Sequence, residues 1–323
     1  MGEAYVMEMT ETGGPDVLVR TPRDPRAPGP GDILVKQTAI GLNYIDTYHR
    51  AGLYPVSLPF IPGAEGAGIV EAIGDDVDDF AVGDRVCYMG NGTYASDYTG
   101  PATGAFKLPQ GLGEEEAVAV LLKGLTAWML LFEVRRAAPG DTALIWAPVG
   151  GVGSVLVPWA SALGVEVIAV TSSADKAERA KALGAQHVIL SSDDVAAQVR
   201  ALTGGAGVDV SYDSVGKSSA RASLDSLKPR GWWVTYGNAS GPVEPLAPTE
   251  LVIRGSLNMT RPSLFSFLDT DAARRAAASA LFGALRSGTI KPYIGQRFVL
   301  DQVGDAHRAI EGGKTIGSTV LIP

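Results

Sequence analysis

The sequence predicts an α/β protein in two parts, a β-rich domain and a doubly wound parallel sheet with helices on both faces. Three observations carry that prediction. From Asp141 onward short apolar runs alternate with helical segments, the rhythm of a parallel sheet. Gly150, Gly151 and Gly153 stand between the first of those runs and the helix that follows it. Before about residue 110 the chain has short β-type runs closed by Gly and Pro, and its last residues return to that texture.

Each element follows from its residues. "DILVKQTAI", "GIVEAIG" and "GDRVCYMG" read as strands of an antiparallel domain. At "LGEEEAVAVLLKGLTAWMLLFEV" the period becomes helical, with three acids in the first turn suiting the positive end of the helix dipole. Then come the strand "TALIWAP", a helix through Leu163, "EVIAVTS", a helix through Leu183, and "HVILS". A helix near "DVAAQVRAL", the strand "VDVSYDSVG", a helix near "SSARASLDSL" and the strand "GWWVTYGN" complete the alternation. After about Asp271 an Ala-rich helix, "KPYIGQRFVL", a short helix and "GSTVLIP" suggest that the C-terminus rejoins the first domain.

Composition narrows the function. Of 323 residues, 46 % are apolar, enough for a sizeable interior. The net charge of −8 and pI near 5.0 argue against a nucleic-acid or anionic-membrane partner, either of which needs a basic face. One cysteine, Cys87, forms no internal disulfide and no cysteine-rich metal site. With no leader-like N-terminus and no segment reaching about 20 apolar residues, a cytoplasmic protein outside the membrane is expected.

A glycine turn that follows a strand and opens a helix lets a pyrophosphate approach backbone N–H groups, so a dinucleotide is expected there. The tip of the second strand of the alternation carries no acid to hold a ribose 2′-hydroxyl. It carries Thr171, Ser172 and Ser173, followed by Asp175 and Lys176. Hydroxyls and a lysine suit a 2′-phosphate, which favours NADP over NAD; the competing reading leaves Lys176 facing solvent. Pro158 falls in the second turn of a helix starting near Gly151 and removes the bond to the Ser154 carbonyl. That loss costs about 3 kcal/mol or more in a helix interior, so a kinked helix with an intact first turn is expected.

The chain resembles the medium-chain dehydrogenase/reductase superfamily, within it the quinone oxidoreductase branch that includes zeta-crystallin. The stretches "GGPDVL", "AIGLNYIDTYHRAGLYP", "PFIPGAEGAGIVEAIG", "LLKGLTAW", "GGVG", "YDSVG", "YGNASG", "TRPSL" and "GSTVLIP" carry the resemblance from end to end. It implies a GroES-like catalytic domain over residues 1–123 and 270–323 and a Rossmann domain over 124–269, with the cleft between them. It also implies a homodimer through the Rossmann edge strand, here "GSLNMT". Where the zinc alcohol dehydrogenases have Gly-His-Glu, this chain has Gly63-Ala64-Glu65, and no Cys stands upstream in "GLNYID". Zinc therefore lacks its nitrogen and sulfur ligands, and hydride transfer suits acceptors that are already electron-poor.

The resemblance further implies an NADPH-dependent reductase of quinones. Asn43, Asp46, Tyr48 and Tyr54 would wall the nicotinamide and substrate cleft with Tyr44, and Tyr48 would bond the acceptor oxygen. Lys123 and Thr126 would lie near the nicotinamide ribose and amide, and Gly150, Gly151 and Val152 at the pyrophosphate. Thr171, Ser172, Lys176 and Ser191 would meet the adenosine phosphate end. Ser214, Val215 and Gly216 would line the nicotinamide side with Tyr236, Gly237 and Asn238, and Arg261 would reach the cofactor or the partner subunit. Ser191 replaces a Tyr of bacterial relatives, and Gly313 replaces an Arg. Two other readings stay open: an enoyl or alkenal double-bond reductase on the same scaffold, and a non-catalytic, crystallin-like NADPH-binding protein.

Overall fold

The computed structural model describes residues 3–323. Its chain divides into two compact units, Met1–Lys123 with Pro292–Pro323, and Gly124–Lys291. In the first unit, β1 (Tyr5–Glu8) pairs antiparallel with β2 (Val19–Pro22). The strands β3 (Asp32–Leu42), β4 (Glu65–Ile73), β5 (Arg85–Met89), β6 (Asp97–Pro101) and β7 (Ala105–Lys107) form an antiparallel sheet. Alternation along β3 puts Ile33 and Val35 inside, against Val70, Val86 and the stacked rings of Tyr88 and Tyr98. Helix α1 (Tyr44–Arg50) leaves the end of β3, and α2 (Glu114–Trp128) follows β7. The three acids of α2 fall in its first turn, where Glu116 accepts the Gly113 N–H at 2.9 Å.

α2 runs on without a break through a π-helical turn, Met129–Val134. Among the described residues, Glu114–Val134 is long and apolar enough to cross a membrane, which corrects the expectation that no segment is. With 72 % of its most apolar window buried, the helix has the character of a core element.

The second unit is the alternation itself: β8 (Thr142–Trp146), α3 (Gly153–Ala162), β9 (Glu166–Thr171), α4 (Ala174–Ala182), β10 (His187–Leu190), α5 (Val195–Leu202), β11 (Val208–Asp213), α6 (Ala220–Asp225), β12 (Leu227–Thr235), α7 (Thr249–Ile253), β13 (Asn258–Thr260), α8 (Leu264–Phe267) and α9 (Asp271–Arg286). All its ladders are parallel, in the order β10-β9-β8-β11-β12-β13. Buried Leu144, Ile168, Val170 and Trp233 give these strands the continuous apolar character that two covered faces require. The strand order reverses between β8 and β11, where such sheets open a ligand crevice at the carboxyl ends of their strands.

The division falls after Lys291, not at 270. α9 accordingly packs with the second unit through Ala277, Ala278, Leu281 and Ala284, and Leu281 lies so close to Gly124 that a Cβ there would sit 2.4 Å from its Cδ1. The chain then returns to the first sheet through β14 (Ile294–Val299), α10 (Val303–Glu311) and β15 (Ser318–Ile322), with β15 antiparallel to β3 and parallel to β14.

Candidate functional site

In the second unit, the turn from β8 to α3 is held by Gly150 N–H to Ala147 O at 3.1 Å, Ser154 N–H to Gly150 O at 2.8 Å and Leu156 N–H to Val152 O at 2.8 Å. Gly153 lets the helix lie on the strand end, since a Cβ there would be 2.2 Å from the Ala147 carbonyl oxygen. Gly151 and Val152 precede α3 and Gly153 opens it, at the positive end of the helix dipole, where an anion is favoured. α3 begins at Gly153 rather than Gly151, keeps its first turn and continues through Pro158 to Ala162. The buried Val155, Leu156, Val157, Trp159 and Ala160 flank the proline, so packing offsets the lost bond.

At the tip of β9, Thr171 is buried and Ser172 exposed. Ser173 caps α4, its hydroxyl accepting the Lys176 N–H and keeping its own O–H to donate. Lys176 is half-buried, and burial holds its ammonium below the ordinary lysine range. Ser191, exposed after β10, is tied to this tip by its N–H to Thr171 O at 2.7 Å.

Beyond β11, Asp213 organises what sequence reading assigned to its neighbours. The fully buried carboxylate accepts from Val215 N (2.9 Å), Gly216 N (3.1 Å), Ser219 Oγ (2.6 Å), Ser223 Oγ (3.0 Å) and Trp233 Nε1 (3.2 Å). Its clue in the sequence was an acid closing an apolar strand, "VDVSYD". Ser214 and Val215 are thereby fixed beside the loop after β12, where Gly237 is obligatory because a Cβ would meet Ser214 O at 2.2 Å. Arg261 holds that second loop: Nη1 donates to Thr235 Oγ1 at 3.1 Å and Gly237 O at 2.9 Å, and the Asn238 amide oxygen accepts from Nη2 at 3.0 Å. Tyr236 follows β12, its N–H on Asp213 O at 2.8 Å. Gly150–Val152, Thr171, Ser172, Lys176, Ser191, Ser214, Val215, Tyr236 and Asn238 thus share the carboxyl edge of one parallel sheet. Thr126, on α2, is half-buried in the same unit.

The first unit carries the rest. Asn43 is the N-cap residue of α1, where the Asp46 carboxylate accepts its N–H at 2.9 Å. The Tyr44, Tyr48 and Tyr54 rings form a ladder, with centroids 6.0 and 5.3 Å apart, and Tyr48 is 9 % exposed. The Tyr44 hydroxyl donates to Ile310 O at 2.9 Å, a bond the sequence did not reveal. Asp46 lies under the helix, fully buried, and also accepts from the Tyr94 hydroxyl at 2.9 Å, which lies 3.0 Å from His307 Nε2. Burial pushes the Asp46 carboxyl up to about 7 against its hydrogen bonds to Asn43 and Tyr94, and holds His307 down at about 3.

Glu65, the first residue of β4, is completely buried and accepts from Lys123 Nζ at 2.5 Å, Asn43 Nδ2 at 2.8 Å and Leu122 N at 2.9 Å. This is where zinc would be sought. The residues do not fit it: position 64 is alanine, Glu65 is engaged by three donors, one of them a lysine ammonium, and among the described residues no three His, Cys, Asp or Glu gather as a ligand set. The nucleotide end does fit a pyrophosphate, through the glycine turn and the Gly153 close approach at the positive end of α3.

Residues 29–120 match the family described as alcohol dehydrogenase GroES-like domain, and residues 151–278 the zinc-binding dehydrogenase family. The chain is 45 % identical over 315 residues to a quinone oxidoreductase of Pseudomonas aeruginosa, covering 96 % of this chain and 97 % of that one. It is 41 % identical over 321 residues to the 2-haloacrylate reductase of a Burkholderia species, covering 96 % of each. Its structure is similar to that of Escherichia coli quinone oxidoreductase complexed with NADPH, with a TM-score of 0.96 at 39 % identity over 99 % of this chain and 100 % of that one.

Proposed function

The chain belongs to the quinone oxidoreductase branch of the medium-chain dehydrogenases and reductases, and from that premise we infer that it is an NADPH-dependent reductase of quinones or activated enones. The observation that carries this reading is the glycine turn of β8 and α3 at the switch point of an all-parallel sheet, in a chain similar over nearly its whole length to enzymes of that activity. NADPH supplies a hydride from its nicotinamide ring to the acceptor, and a proton completes the reduction.

The chain's own residues bind and orient. In this proposal Gly150, Gly151 and Val152 hold the pyrophosphate by backbone N–H groups; Thr171, Ser172 and Lys176 meet the 2′-phosphate, with Ser191 beside the adenosine. Ser214, Val215, Tyr236 and Asn238 line the nicotinamide, and Arg261 acts through the loop it ties. Tyr44, Lys123, Thr126 and Asn43 approach the nicotinamide ribose and amide. Tyr48 and Tyr54 shape the acceptor site, Tyr48 donating to the acceptor oxygen. Asp46, buried beneath α1, serves as that helix's cap and not as a surface acid.

Reduction of an activated carbon–carbon double bond is the second reading, supported by the similarity to 2-haloacrylate reductase. A homodimer is proposed across the open edge strand β13, whose surroundings expose Val252, Ile253, Met259 and Phe265. A reducing, cytoplasmic compartment is proposed on the single, buried Cys87 thiol. The deciding experiment titrates purified protein with NADPH and NADH, then adds 1,4-benzoquinone or an α,β-unsaturated carbonyl compound. Tight NADPH binding with acceptor-dependent oxidation supports the assignment. Binding without oxidation by either acceptor would leave the non-catalytic reading.

A further inference from the structure

Glu65 has no exposed surface, and Gly41 on the neighbouring strand admits it: a Cβ at position 41 would lie 2.2 Å from Glu65 Oε1. Its two oxygens take donors from separate parts of the chain. Oε1 accepts from Lys123 Nζ on α2 and from the Asn43 amide at the head of α1, while Oε2 accepts from the Leu122 N–H inside α2. The Lys123 ammonium, its side chain 4 % exposed, has a second bond to Val118 O at 3.2 Å. An ammonium has three N–H donors, and among the described residues two are taken, which leaves one for a ligand.

A buried ion pair is a poor device for stability alone. Removing both charges from water costs more than their attraction often returns, and an apolar pair of similar size is frequently as stable. The arrangement does accomplish something an apolar pair cannot. It freezes a long, flexible lysine and a carboxamide in one geometry before any ligand arrives, so that binding need not order them.

We infer that Glu65 is a positioning residue of the reductase: it holds the Lys123 ammonium and the Asn43 amide aimed at the nicotinamide ribose, and so sets the affinity for NADPH without touching it. The inference rests on the proposed placement of Lys123 and Asn43 at the nucleotide. Because those contacts are made in the ground state and the transition state alike, loss of positioning appears in the nucleotide KM and not in kcat.

The test compares wild type, Glu65→Gln, Lys123→Met and the double variant Glu65→Gln/Lys123→Met as full-length protein, measuring NADPH Kd by titration, steady-state kinetics with 1,4-benzoquinone, and the thermal midpoint. Positioning predicts that Glu65→Gln raises both Kd and KM for NADPH about tenfold or more, with kcat within about threefold and the acceptor KM unchanged. A purely structural role predicts a lower midpoint and a smaller active fraction, with NADPH Kd and KM as in wild type; that result overturns the proposal. The double variant removes the buried, unpaired charge. If it recovers the midpoint and yet binds NADPH more weakly than Lys123→Met alone, the loss comes through the freed Asn43 amide and positioning stands even should Glu65→Gln alone fail to fold; affinity equal to that of Lys123→Met overturns it. Recovery of both the midpoint and NADPH affinity overturns it. Wild-type protein that binds no NADPH at all sinks the functional reading itself, and this inference with it, before any variant is made.

Discussion

Asp46, Tyr94 and His307 are one buried chain of hydrogen bonds whose two ends titrate in opposite senses. Asp46 ordinarily titrates near 3.8 and in the folded protein near 7, facing the Asn43 N–H, Tyr94, Lys123 and Glu65. Between those values the folded state holds the extra proton, so stability falls as pH rises, by up to about 1.4 kcal/mol per pH unit. His307 ordinarily titrates near 6.5 and folded near 3, so there the unfolded state holds the extra proton and stability falls as pH drops. The two slopes oppose each other from about pH 4 to 6.5. Urea denaturation across pH should therefore show Asp46→Asn gaining stability relative to wild type as pH rises from 4 to 7, and His307→Gln gaining as pH falls from 6.5 to 3. Flat differences in both would mean the chain does not titrate this way. Lys176 offers a separate check: Lys176→Ala should weaken NADPH about tenfold, or about 1.4 kcal/mol, and leave NADH affinity nearly unchanged in the same titration.

At the scale of elements, the β8–α3 turn separates two kinds of glycine. A Cβ at Gly153 would strike the backbone of Ala147 and Pro148, which cannot yield without lifting the helix from the strand end. A Cβ at Gly150 would make only an ordinary contact, 3.4 Å from Ala147 O. Gly153→Ala should thus cost about 1–3 kcal/mol or more in urea melts and abolish measurable NADPH binding. Gly150→Ala should fold with near-native stability, and any weakening it causes should be confined to the nucleotide. Equal destabilisation by the two would contradict the geometry. Both glycines look alike in "GGVG"; which one packs and which one opens depends on how α3 sits on β8, and no local pattern encodes that. Pro158 makes the same point, since its cost is legible in the sequence and the buried side chains that offset it are not.

For the whole molecule, the open edge of the parallel sheet is where self-association is proposed, and Met259 stands on that strand, 41 % exposed. Met259→Asp should weaken a dimer by roughly 1–3 kcal/mol and raise the monomer fraction in light scattering, with NADPH affinity kept. A wild-type protein that is monomeric at every concentration tested would remove that proposal. The amino-acid sequence by itself determined the α/β alternation, the glycine turn and its nucleotide, and the lack of zinc ligands at Ala64. Each of these is written in residues close together along the chain, where periodicity and the geometry of a turn act directly. Only the tertiary structure decided that Asp213 carries five hydrogen bonds, that Asp46 is a buried cap joined to His307, that Glu65 gathers Lys123 and Asn43, and that α9 packs with the second unit. The donors of Asp213 lie 2 to 20 residues away and the other partners tens to hundreds, and burial, which strips a polar group of water and obliges it to find another partner, brings them together.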